Sequence, residues 1–135
     1  MNWLKLAHLS VGLVFLALFL ATGVYMLVSF PELYKDREEI RMMYRATHIY
    51  LLMSSLINLA IANHSFGSQS FYCNWLRRVA SVSIIIAPPV FFIAFIVEPQ
   101  SYLVDRPFSV WGVLLLLFCV LLHTVINWRA FTKRL

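Results

Sequence analysis

Four histidines carry most of the chemistry this sequence could perform, and their positions decide which of them could act together. His8 stands near the start of a first apolar run, His64 ends a second and His123 falls late in a fourth, whereas His48 opens the second run three residues after Arg45. In successive membrane-crossing helices His8, His64 and His123 approach one face and His48 the other. At about 1.5 Å of rise per residue, His8 and His123 differ in depth by roughly 5 Å, and His48 and His123 by roughly 15 Å. Only the first pair could share one ion or one haem.

A b-type haem between helices wants two imidazoles at matched depth, small residues that admit the ring, and surface bases for its propionates. His8 and His123 are the candidate ligands, and Arg77, Arg78 and Arg129 the candidate propionate partners. Gly12 is a small position one turn from His8, while Gly112 falls at the opposite membrane face. A copper or zinc ion on His8, His64 and His123 is a further candidate, although there is no HxxxH, no HxH and no methionine-rich cluster. Cys119 reads as a small apolar filler and Cys73 as a loop thiol; they lie at different depths and form no CxxC pair.

A second polar constellation lies on the second apolar run. Steps of three or four join Arg41, Arg45, His48, Leu52, Ser55, Leu59 and Asn63 along one helical face, with Asn58 off its edge. Hydrocarbon offers these groups no hydrogen bonds, so the face should turn toward the bundle interior or a partner. The favoured reading has Arg45 reaching the outer headgroups, His48 bonding a neighbouring helix, and the Ser and Asn side chains joining helices. The alternative makes Arg45 and His48 a functional pair, either an anion or carboxylate site or a proton-sensitive site facing Glu98 or Asp105, which would line the polar face of a small oligomeric channel or carrier.

These residues need elements to position them, and composition names the kind. Of 135 residues 61% are hydrophobic and 13% charged, with a mean hydropathy of +0.80. A water-soluble domain of this length is nearer half apolar and a quarter charged, because it must cover itself with polar side chains. Four windows, roughly 4–30, 42–64, 76–97 and 108–128, reach the ~20 residues a helix needs to cross a ~30 Å hydrocarbon core. The expected fold is all-α: an integral membrane, antiparallel four-helix bundle forming one domain over 1–135. Helix three should be kinked at Pro88 and Pro89, which remove two backbone donors and free the carbonyls near Ile84 and Ile85. Ser81 or Ser83, one turn away, could supply partners. The segments PELYKDREEIR, SFGSQSFYCN and EPQSYLVDRP read as short connections, leaving no room for a soluble domain. No small-x-small pattern closes the first run, so it should stay in the mature protein.

Charge gives an orientation. The side holding the termini and middle loop carries six Lys and Arg and no acid, and the other carries five together with all six acids. That favours both termini in the cytoplasm, with aromatic residues such as Trp3, Trp75, Trp111 and Trp128 near the interfaces. The expected setting is a bacterial inner membrane. The net charge of +5 suits anionic lipid headgroups better than nucleic acid, which is not an expected partner. No GxSxG, P-loop, HExxH or paired carboxylates at one depth argue for an enzyme. The favoured function is accordingly a small multi-pass accessory or assembly protein in the lipid bilayer, acting through helix–helix contacts as a homo-oligomer or as a subunit beside other membrane subunits. A haem-binding redox protein using His8 and His123, and the channel or carrier above, are the alternatives.

Overall fold

The computed structural model describes residues 3–63, 71–101 and 105–132, apart from the side chains of 33, 71–74 and 127–132. Over these residues the chain is four α-helices with no strand: α1 Trp3–Leu33, α2 Glu38–Asn63, α3 Phe71–Gln100 and α4 Pro107–Thr132. Each holds a segment long and apolar enough to cross a membrane.

Every helix outruns its apolar window, because a helix leaving hydrocarbon keeps its own backbone bonds and only its side chains change. Parts of two segments that read as connections therefore lie inside helices: PEL ends α1, EEIR begins α2 and EPQ ends α3. Glu38 and Glu39 occupy the first turn of α2, where carboxylates suit the positive end of the helix dipole. Pro107 opens α4 at the position where a missing N–H costs no intrahelical bond.

The middle helices α2 and α3 each touch all the others, whereas α1 and α4 share no contact among the described residues. Contacts between α1 and α2 run down one helix as they run up the other: Gly12 meets Leu59, Thr22 meets His48 and Phe30 meets Tyr44. One apolar core joins Leu51 and Ile61 of α2, Ala80, Ile84, Ala87 and Phe91 of α3, and Leu116 and Cys119 of α4. A second gathers Phe30, Ile40, Tyr44 and Phe95, with the Tyr44 ring 5.4 Å from Phe30 and 4.9 Å from Phe95. Offset and edge-on aromatic pairs of this kind add about 0.5–1.5 kcal/mol beyond burial.

Two glycines set helix spacing. A Cβ on Gly12 would come 2.7 Å from Leu59 Cγ, and one on Gly112 would come 2.7 Å from Phe91 Cε1. Gly12 therefore serves close approach of α1 to α2, and Gly112 close approach of α4 to α3. α3 is the most enclosed of the helices and α1 the least.

Candidate functional site

The most enclosed polar group joins three helices. His8 of α1 and Asn58 of α2 are both fully buried, with His8 Nδ1 2.7 Å from Asn58 Oδ1. The Asn58 amide nitrogen donates to Ser54 O at 2.9 Å and to Ile84 O, on α3, at 3.1 Å. A carbonyl only accepts, so the atom facing two carbonyls must be the nitrogen and the oxygen must face His8. The network thereby assigns the imidazole proton to Nδ1, leaving a lone pair on Nε2. His8 Nε2 is enclosed and has no hydrogen-bond partner among the described residues.

Ile84 O needs this help for a reason written in the sequence. Its intrahelical donor would be the amide of residue 88, which is proline. Proline frees the carbonyl, and the side chain that takes it comes from the neighbouring helix. Neither Ser81 nor Ser83 fills that role. The signal for Asn58 in the sequence is an amide on α2 at the depth of the freed carbonyl on α3.

The polar stripe read on α2 divides in two. Ile40, Tyr44, Thr47, Leu51, Ser54, Ser55, Asn58 and Ile61 are buried, so Asn58 lies at the centre of the enclosed face rather than off its edge. The flank carrying His48 and Leu59 turns toward α1. Thr22 Oγ1 donates to Phe19 O at 2.9 Å and accepts from His48 Nδ1–H at 3.0 Å, while the imidazole stacks on Phe19 at 4.1 Å. Gly23 leaves room for that ring, since a Cβ there would lie 3.3 Å from His48 Cε1. Among the described residues Ser55 Oγ bonds only Leu51 O of its own helix, and Asn63 is exposed.

Arg45 and His48 point apart. The Arg45 side chain is 54% exposed and reaches Glu38 at 3.9 Å, a partner it shares with Arg41 at 3.6 Å. Neither Arg45 nor His48 meets Glu98. That carboxylate, read as a loop acid, is a fully buried residue of α3 at the start of α4. Glu98 Oε1 accepts the Ser109 backbone N–H at 2.7 Å, and Oε2 accepts the Ser109 hydroxyl at 2.6 Å and Arg106 Nε at 3.4 Å. Arg106 also donates to Met43 O of α2 at 3.4 Å. Its φ of 46° is left-handed, a conformation costing about 1–2 kcal/mol in a residue with a side chain. The fold-back brings its guanidinium to Glu98. The carboxylate thus satisfies α4's first turn, a role filled elsewhere by an N-cap side chain.

His123 of α4 is buried, as is Cys119, a free thiol in the apolar core. His64 lies outside the described residues, and so does any ion site that would include it. Among the described residues no three His, Cys, Asp or Glu side chains come together to hold a metal ion. A cavity of about 290 Å³ opens between α1, α2 and α3, lined in part by Thr22, Tyr25, Tyr44, Phe95 and Gln100. Thr22 is fourteen residues from His8 along α1, or about 21 Å. The cavity and the His8 network are therefore separate places.

Comparison of the chain with family models, with curated proteins and with solved structures finds no match to any of them. The chain defines a small membrane protein of four apolar helices that pack together.

Proposed function

We propose that the chain is a multi-pass accessory or assembly protein, which acts through lateral helix contacts as a homo-oligomer or as a subunit of a larger membrane complex. One observation carries this reading. The enclosed polar side chains Asn58, Thr22 and Glu98 each bond across or cap a helix, leaving among the described residues no line of free polar groups from face to face. Such groups fix helices to one another; they do not offer a permeant ion successive sites. The parting of Arg45 from His48 weighs against the channel or carrier in the same way.

The finer architecture belongs to this proposal. Contacts that descend α2 while ascending α1 support antiparallel helices. Capture of Ile84 O by Asn58, where residue 88 has no N–H to give, supports a bend in α3 at Pro88 and Pro89. The distribution of Lys and Arg supports cytoplasmic termini, and a bacterial inner membrane is the proposed setting. The test is mass in detergent by light scattering. A species well above 15.7 kDa plus its micelle, or a co-purifying membrane protein, is expected. A lone monomer with no companion would count against the proposal.

A further inference from the structure

Between α1 and α3 the bundle is left open. Two ring pairs cross from one helix to the other, Phe15 to Phe92 at 6.4 Å and Tyr25 to Phe95 at 6.3 Å, and between them α1 presents the small Ala21 to the gap. The cavity of about 290 Å³ occupies this interval. Thr22, Tyr44 and Phe95 form its buried floor, whereas Ala21, Ile96 and Gln100 form an exposed rim. Exposed residues of a spanning helix face lipid, so the groove opens sideways into the membrane.

Its shape and chemistry select an occupant. The floor's polar atoms are already engaged, Thr22 Oγ1 with Phe19 O and His48 Nδ1, and the Tyr44 hydroxyl with that of Tyr34 at 3.4 Å. A guest therefore needs no polar groups along the floor. The lining runs from Leu18 to Tyr25 on α1 and from Phe92 to Gln100 on α3, about 10–12 Å at 1.5 Å of rise per residue. A cavity of about 150 Å³ takes a benzene ring, so this one takes about a dozen carbon atoms. A neighbouring helix, about 10–12 Å across with its side chains, is too wide. Gln100 ends α3 at the membrane surface, so the polar residue of the rim stands where headgroups lie.

We propose that this groove holds one acyl chain of a phospholipid from the leaflet on the Gln100 side. The headgroup rests beside Gln100, and the chain runs inward over Phe95 and Tyr44 to Leu18. Lipid tails are as apolar as the lining, so the gain comes from filling the space: a void leaves its walls without partner atoms, and a chain restores those contacts. The bound chain joins α1, the least enclosed helix, to α3, the most enclosed.

The experiment uses the full chain in vesicles of phosphatidylethanolamine and phosphatidylglycerol, doped with a phosphatidylcholine that carries a photoactivatable diazirine midway along one acyl chain. After illumination, peptide mapping should find label on Ala21, Phe92 and Ile96 about tenfold more often than on Phe118 and Leu121 of α4, which are 66% and 56% exposed. Native mass spectrometry from mild detergent should find one phospholipid kept by the wild-type chain. Ala21→Trp puts an indole into the groove from its rim and should lower both signals about tenfold. Ala17→Trp, one turn away and outside the lining, should leave them unchanged. Equal labelling of the groove and of α4 overturns the proposal without needing any variant to fold. So does a bound phospholipid indifferent to Ala21→Trp, an isoprenoid molecule in its place, or a groove residue that cross-links to a second copy. The light-scattering test counts chains, so failure of one proposal leaves the other distinguishable.

Discussion

Asn58 touches one imidazole and two carbonyl oxygens, so Asn58→Leu strands His8 Nδ1–H on α1 and Ile84 O on α3 at once, while Ser54 O keeps its bond within α2. Leaving a buried partner unsatisfied costs about 1–3 kcal/mol, and the expected loss of stability lies in that range. Ser55→Ala, one turn earlier on the same helix, removes only a bond to its own Leu51 O and should stay within about 0.5 kcal/mol. Unfolding of the two variants by SDS in mixed micelles compares them directly; equal losses would mean that Asn58 does not join the helices. Arg45→Ala should be near neutral in the same assay, because an exposed pair at 3.9 Å is screened by water. Periodicity made the polar side of α2 legible in the sequence. It could not say which of two adjoining faces met α1 and which met α3, since that depends on the neighbours' small residues, Gly12 and Gly23.

Within α3 the prolines and Asn58 should be energetically coupled. Pro88→Ala would restore an N–H able to reach Ile84 O, making the Asn58 amide partly redundant there. In a double-mutant cycle, Asn58→Leu should therefore cost less in the Pro88→Ala background, with a coupling of about 0.5–3 kcal/mol. Additive costs would deny the link. At the far end of α3, Glu98→Gln removes the charge that holds the first turn of α4 and pairs with Arg106. Bonds to a charged group contribute about 1.5–3 kcal/mol, so a loss of that order is expected in thermal unfolding. Glu98 reads as a loop acid in the sequence because Pro99 follows it. A proline near a helix end costs little, however, and α3 runs on to Gln100. Gly12→Ala and Gly112→Ala should each destabilise by about 1–3 kcal/mol, since the added methyl meets Leu59 and Phe91 below van der Waals distance. Wild-type melting in either variant would show that the helices part freely.

The helices themselves were the most legible part of the chain, because hydrocarbon thickness alone demands windows of ~20 apolar residues and the sequence has four. Links between helices were less so: His8 could be placed in depth, but its partner Asn58 could not be named from one chain. If the termini are cytoplasmic, as proposed, reporter fusions at both ends should give the same cytoplasmic signal; opposite signals would mean an odd number of crossings. All of this presupposes lipid as the solvent of α1 to α4, where Leu27 and Val28 lie 77% and 70% exposed and buried polar groups must find protein partners. Washing isolated membranes with alkaline carbonate tests it most directly. The intact chain should stay with the membranes until detergent is added; release into the supernatant by carbonate alone would refute the reading.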